Sequence, residues 1–236
     1  MINLPTDFSL HQVDALELLR GLPDASVDLI VTDPAYQSLE KHRVDKNGKN
    51  RGRIPRLVTW FSIFPNERFD ELFAEAYRVL KKGGHLYMFS DQETMFIAKP
   101  KGEAVGFKLW KPIVWDKKYM GMGYHYRARC EFVLFFEKGK RKLNNLGTPD
   151  VLKVPRILGG YPTEKPVALM EILISQSSNP GDVVLDPFCG SGSVGVAALK
   201  LGRRFIGGDT SDVAMKLSMG RLEDASATSA QNSDAA

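Results

Sequence analysis

The sequence is poor in the residues that staple or wire small proteins together. It holds only two cysteines, Cys130 and Cys189, far apart in the chain. That excludes a disulfide scaffold and fits a reduced, cytoplasmic setting. Its four histidines, His11, His42, His85 and His125, stand singly. With no Cys/His spacing suited to zinc, no metal is expected. No apolar run approaches the about 18 residues needed for a membrane-crossing helix, so no membrane partner is expected. The opening residues lack a basic start followed by an apolar stretch, so no secretory signal is read there. There is no G-x-x-x-x-G-K-[ST], which leaves a P-loop ATPase unsupported, and there is no internal repeat.

What remains is ordinary globular material: 236 residues, 43% hydrophobic and 25% charged, enough for one α/β domain with a real core. The net charge of +4 is mild, but its distribution is not. Between Lys41 and Arg56 seven basic residues (Lys41, Arg43, Lys46, Lys49, Arg51, Arg53, Arg56) face one acid, Asp45. From Lys138 to Arg156 six basic residues face Asp150. Both stretches carry Gly, Asn and Pro between apolar segments and read as loops, spanning about 37–60 and 138–162. Either alone is compatible with a solvated loop; a pair flanking a catalytic motif reads as a groove for phosphates. Tyr124, Tyr126, Arg127 and Arg129 are open to a substrate-facing or a packing role. Residues 223–236 hold almost nothing to bury and are expected to be a disordered tail after a single domain, 1–222.

Hydrophobic periodicity predicts strands at Val27–Thr32, His85–Ser90, Lys111–Trp115, Glu131–Phe136, Val183–Asp186 and Arg204–Asp209. Helices are predicted at Val13–Leu19, Asn66–Lys82 (N-cap Asn66, stop at Gly83-Gly84), Pro166–Ser175, Val194–Leu201 and Val213–Leu222. The alternation gives a Rossmann-like, mostly parallel sheet with helices on both faces.

Two strand ends carry chemistry. Asp186-Pro187-Phe188-Cys189-Gly190-Ser191-Gly192-Ser193-Val194-Gly195 joins a strand to a helix with G-x-G-x-x-G spacing, and Asp209 ends the next strand, where a carboxylate can accept ribose hydroxyls. A dinucleotide would set its pyrophosphate beside Asp186, carboxylate against anion. A ligand with an ammonium, a sulfonium and a ribose fits better: S-adenosylmethionine. A nicotinamide dehydrogenase stays an alternative. The loop comes so late that the sheet must recruit strands from the N-terminal half, which implies a permuted order. There Thr32-Asp33-Pro34-Ala35-Tyr36 closes a buried strand. An exocyclic amine is a poor nucleophile, because its lone pair is delocalised into the ring. A carboxylate (Asp33) and a rigid backbone carbonyl (Pro34) can accept both its N–H groups and localise that pair, while an aromatic (Tyr36) can stack on an extruded base.

TDPAY followed by TEKP and DPFCGSGS resembles the amino-DNA methyltransferases, which methylate adenine N6 or cytosine N4, with the motif order of their β class. The resemblance runs roughly from Val13 to Leu222. It implies a circularly permuted class I methyltransferase fold, DNA as partner (a second copy of the chain being left open), and a bacterial or phage-encoded enzyme. It also implies roles: Asp33 and the Pro34 carbonyl hold the target amine, and Tyr36 stacks on the base. Asp186, Phe188, Cys189, Gly190, Ser191, Gly192 and Ser193 line the methionine end of the cofactor. Asp209 takes the ribose, Asp14 sits near the adenine ring, and Thr163, Lys165 and Pro166 form the wall before the Gly-loop. Lys41, Arg43, Arg51, Arg53, Arg56, Arg127 and Arg129 are the DNA-binding candidates. Aspartate in the first motif position favours adenine N6, with cytosine N4, or a DNA-binding protein retaining an inactive fold, as alternatives. The family usually has Pro where this chain has Ala35. Neither cysteine follows a proline, so the covalent route of cytosine-C5 enzymes is unsupported.

Overall fold

The computed structural model describes residues 2–42, 62–121, 125–159, 161 and 163–233. The basic residues Arg43, Arg51, Arg53 and Arg56, and Tyr124, lie outside the described residues. The strands are β1 (Phe8–His11), β2 (Val27–Thr32), β3 (Leu80–Ser90), β4 (Lys108–Asp116), β5 (Cys130–Glu137), β6 (Val151–Lys153), β7 (Val183–Asp186) and β8 (Arg204–Gly208). They form one sheet in the order β1-β8-β7-β2-β3-β5-β4-β6. Among the described strands only β5 runs against the others, since its pairings with β3 and β4 are antiparallel and the rest are parallel. The helices are α1 (Ala15–Gly21), α2 (Phe69–Val79), α3 (Gln92–Ala104), α4 (Val167–Ser177), α5 (Ser193–Lys200) and α6 (Asp212–Ser233).

This is the mostly parallel α/β sheet that the alternation predicts. Strands β2 and β7 read as near-continuous apolar runs because the sheet is covered on both faces. One hydrophobic cluster gathers α4, α5 and Trp115, and a second gathers α1, α2 and Phe136. The permuted order is visible in the pairings. The last strand, β8, sits beside the first, β1, and the late β7 inserts next to the early β2.

Several local expectations are revised. The helix expected over Asn66–Lys82 starts as a 3₁₀ turn, Asn66–Arg68, and is α-helical only from Phe69 to Val79. Asn66 is not its N-cap; its N–H goes to Gln37 Oε1 at 3.1 Å. Nor is Gly83-Gly84 a helix stop. Leu80 already pairs with Val27, so the chain passes from helix to strand three residues earlier. A Cβ on Gly84 would lie 2.9 Å from the Asp28 carbonyl, so the glycine permits close strand approach. Helix α3 has no counterpart in the periodicity. It carries Pro100 internally and exposes Phe96, and its start is fixed instead by Asp91, whose Oδ1 accepts from Thr94 N at 2.8 Å.

The stretch from Lys138 to Arg156 is not simply a loop. It contains β6, and Lys138 Nζ caps the carbonyls of Tyr77 and Leu80 at 2.5 and 2.7 Å. Arg141 donates to Ser177 O at 2.7 Å. These cations sit where the antiparallel β5 ends, at the amino edge of the sheet, and satisfy helix and strand ends. The segment expected to be a disordered tail continues α6 as far as Ser233. Ala225 is buried, Ser226 Oγ bonds Asp7, and Ser229 Oγ donates to Leu199 O at 3.2 Å. Small residues there leave room for close packing on β1 and α5, which composition alone does not disclose. No described helix is long and apolar enough to cross a membrane.

Candidate active site

Parallel strands that end side by side present their last residues to one crevice. β2 delivers Thr32 and Asp33, and β7 delivers Asp186; Thr32 Oγ1 donates to Asp186 Oδ1 at 2.8 Å. The two motifs read separately in the sequence are therefore neighbours at adjacent strand ends.

On the β7 side the chain turns through Gly190 (φ 50°) and Gly192 (φ 77°) into α5. Both are left-handed, a region L side chains enter only at a cost. The third glycine of the pattern serves packing: a Cβ on Gly195 would lie 2.6 Å from Leu222 and Phe205. Asp186 is buried, and burial lifts its carboxyl to about 7 despite the bonds from Thr32 and Phe188 N. Cys189 is buried and burial pushes its thiol far up, which suits a packed small residue and not a nucleophile. Ser191 and Ser193 are both buried, their hydroxyls 3.2 Å apart. Asp209 accepts from Gly190 N at 3.0 Å and from Ser211 N at 2.8 Å, so it ties the Gly-loop to the start of α6. Burial raises its carboxyl as well.

α6 braces this loop from behind. Ser218 Oγ donates to Gly190 O and Arg221 Nη1 to Ser191 O, both at 2.7 Å, and Arg221 also meets Glu164 at 2.9 Å. Glu164 belongs to the TEKP segment, so one arginine joins that segment to the Gly-loop. Thr163 there adopts φ 66°, a strained backbone that sharpens the turn before Lys165. Asp14 caps α1 through Leu16 N and is held by Arg68 in a two-pronged pair at 3.0 and 2.7 Å. The bond from Arg68 lowers its carboxyl. Arg68 lies over the Phe64 ring, and Phe64 meets Phe188 edge to face at 5.1 Å, forming an aromatic rim beside the glycines.

On the β2 side, Asp33 Oδ1 accepts from Tyr36 Oη at 2.6 Å, and its other oxygen bonds Lys165. Tyr36 is only 8% exposed. Its ring is packed and its hydroxyl steadies the carboxylate, so stacking on a base requires it to leave that position. Lys165, which the resemblance puts in the cofactor wall, turns its ammonium to Asp33 and stands 3.6 Å from Glu131. Glu131, Lys117, Phe64, Arg68 and Arg221 escaped the sequence reading. Each is a single charged or aromatic residue outside a motif, and only the topology brings it in.

The connection between β4 and β5 rises from the same carboxyl edge. In it Tyr119, Tyr126 and Arg127 are exposed, Arg129 pairs with Asp116 through two bonds at 2.7 and 2.8 Å, and Arg127 donates to Gly121 O. Arg156 stacks 4.8 Å over Tyr119. Among the described residues Tyr126 is exposed, and Arg127 is exposed while holding the connection through Gly121 O. Lys41 lies in the 3₁₀ segment Gln37–His42. No group of His, Cys, Asp and Glu able to hold a metal occurs among the described residues.

The N6/N4 methyltransferase family model, described as DNA methylase, matches residues 27–154 and 144–219. This chain belongs to the amino-DNA methyltransferases. It is 30% identical over 257 residues to the DNA adenine methyltransferase YhdJ of Escherichia coli K12, covering 92% of this chain and 83% of that one. It is 28% identical to the type II methyltransferase M2.DpnII of Streptococcus pneumoniae, covering 89% and 87%. Among solved structures, that of the M1.HpyAVI–SAM complex superposes with a TM-score of 0.66 at 26% identity, covering 91% and 99%. The cytosine-N4-specific PvuII methyltransferase shares the fold alone, with a TM-score of 0.70 at 17% identity, covering 97% and 93%. The fold of this amino-DNA methyltransferase is thus a permuted class I methyltransferase sheet.

Proposed function

We propose that this enzyme transfers the methyl group of S-adenosylmethionine to the exocyclic N6 amine of an adenine flipped out of DNA. The observation that carries the reading is the join between β2 and β7: a carboxylate suited to an amine and a carboxylate suited to an ammonium stand at adjacent strand ends, linked through Thr32 and Asp186. The residues on the β7 side fit the cofactor. Asp186 is a buried carboxylate without a cationic partner among the described residues, and the Gly-loop backbone is free of Cβ atoms where a ligand would approach. Phe188 and Asp209 border the same hollow. Bound there, S-adenosylmethionine supplies an electrophilic sulfonium methyl.

This chain's own residues do the rest. Asp33 and the Pro34 carbonyl accept the two N–H groups of the target amine and concentrate its lone pair on nitrogen. Those bonds strengthen as the nitrogen becomes cationic, so they stabilise the transition state more than the ground state. Tyr36 and Lys165 fix the Asp33 carboxylate before the base arrives, which lowers the cost of reorganisation. Extruding the base costs a few kcal/mol, offset by phosphate contacts from Lys41, Arg127, Arg129 and the basic stretch up to Arg56.

The test is transfer of labelled methyl from the cofactor to DNA, followed by nucleoside analysis of the product. N6-methyladenine is expected, and Asp33→Ala is expected to abolish transfer. N4-methylcytosine would reassign the base, and a fully active Asp33→Ala enzyme would remove Asp33 from the chemistry. Asp33 in the first motif position favours adenine over cytosine.

A further inference from the structure

Behind Asp33 lies a charged cluster that the transfer chemistry does not use directly. Lys165 is almost wholly buried, its side chain 12% exposed, with its ammonium against Asp33 and 5.2 Å from the centre of the Phe89 ring. Glu131, at the start of β5, stands 3.6 Å from the same ammonium and takes Lys117 at 3.0 Å on its other oxygen. Two carboxylates and two ammonium groups thus alternate in a chain, Asp33–Lys165–Glu131–Lys117, with no net charge. Burial pulls the Lys165 ammonium toward neutrality, but the two carboxylates outweigh it and hold it charged. Burial likewise works against the Glu131 carboxylate, and the two lysines outweigh it.

An ammonium held by Asp33 alone would compete with the target amine for that carboxylate. An ammonium shared with a second carboxylate leaves part of the acceptor strength of Asp33 available. We infer that Glu131 is a positioning residue for methyl transfer: by sharing the Lys165 ammonium, it keeps Asp33 fixed and able to accept from the target amine. Lys117 supplies the counter-charge that makes a second half-buried carboxylate tolerable. It also stands at the foot of the exposed β4–β5 connection, so the chain of charges reaches from that surface to the reacting centre. Glu131 touches neither base nor cofactor; it acts through Lys165. The inference rests on the proposed function.

The experiment is a double-mutant cycle on the single-turnover rate of methyl transfer to DNA, with the Kd for S-adenosylhomocysteine measured in each protein. E131Q is expected to slow transfer at least tenfold while that Kd stays within twofold. K165M is expected to slow it further, and adding E131Q to K165M is expected to cost nothing more, because Glu131 then has no ammonium to share. K165R, which keeps the cation and is the mildest change, is expected to stay within tenfold of wild type. E131Q at the wild-type rate, a double variant slowed by the full E131Q factor beyond K165M, or K165R as slow as K165M would each overturn the inference. A wild-type protein that transfers no methyl to DNA would overturn the proposed function and this inference together. Transfer by wild type with E131Q keeping pace overturns the inference alone.

Discussion

Thr32 Oγ1 and Asp186 Oδ1 are 2.8 Å apart, and that hydrogen bond spans the seam between the first half of the chain and the last. It is accepted by a carboxyl that burial has lifted to about 7. A ligand ammonium stabilises the ionised form, so binding it near neutrality should expel a proton. The affinity for S-adenosylhomocysteine is expected to rise as pH goes from 6 to 8, by about tenfold if only the carboxylate form binds. Calorimetry in buffers of different ionisation enthalpy measures the released proton directly. A pH-independent Kd with no proton release would sink this expectation. Thr32→Val should weaken binding by removing the one side-chain donor to Asp186 among the described residues, at about 1 kcal/mol.

The two kinds of glycine in the Gly-loop should respond differently to alanine. At Gly192 the φ of 77° and the 3.1 Å approach of Ser218 both oppose a Cβ, and a stability loss of about 1–2 kcal/mol is expected. At Gly195 the backbone is helical and alanine is locally favourable, but its Cβ would meet Leu222 and Phe205 at 2.6 Å. There the cost is overpacking, about 1–3 kcal/mol, and α6 should loosen. Denaturant unfolding gives the stabilities. Wild-type stability of Gly195→Ala would show that α6 can shift freely.

His85 is fully buried, bonded through Nδ1 to Ser177 at 2.7 Å, with Nε2 left without a partner among the described residues. Burial, then the charge of Arg141, depress it to about 4 from 6.5. The unfolded chain therefore binds more protons than the folded one between about pH 6.5 and 4. Stability should be fully present above pH 6.5 and fall by up to about 3 kcal/mol as pH drops through that window. His85→Gln unfolding midpoints should flatten that slope; an unchanged slope would clear His85 of responsibility.

Arg221 holds Ser191 O and Glu164 together. Arg221→Met leaves a carboxylate that is only 13% exposed without its partner and frees one wall of the hollow. The Kd for S-adenosylhomocysteine is expected to rise about tenfold, equivalent to about 1.4 kcal/mol, with the fold retained. Equal affinity in variant and wild type would make Arg221 a surface pair only.

Neutralising Arg127 and Arg129 should weaken DNA binding and flatten its dependence on salt, by about one unit of slope for each phosphate left without its cation. Fluorescence anisotropy across a salt series gives the slope, and a slope equal to that of wild type would place both arginines outside the DNA interface. The same change in Arg51, Arg53 and Arg56 tests the longer basic stretch.

The sheet, its parallel sense and its permuted order follow from features that survive in one dimension: buried apolar runs, turn glycines and the late position of the Gly-loop. The strand-end positions of Asp33 and Asp186 are legible for the same reason, because each closes such a run. What escapes is set by contacts between distant segments. The resemblance puts Asp14 near the adenine ring, and nothing in one dimension discloses that it also caps α1 and holds Arg68. Glu131 looks like one more strand-end acid, and only the antiparallel turn of β5 brings it to Lys165. Lys138 and Arg141 look like phosphate ligands by charge, but the direction of β5 carries them to the far edge of the sheet. Composition likewise misleads for residues after Leu222, where alanine and serine pack because they are small.

The pairing of β1 with β8 has a consequence for synthesis. Phe8 finds its register partner, Phe205, only after the segment up to Phe205 has left the ribosome. Until then the first strand has no neighbour to bond, and the bed for the nucleotide does not exist. The half bearing Asp33 is made first, and the β1–β8 pairing is a closure of very long sequence separation, a slow step that leaves an open sheet edge exposed to other chains until it forms. Folding of this enzyme is therefore expected to be limited by the pairing of β8 with β1, with little dependence on the segment that carries Asp33.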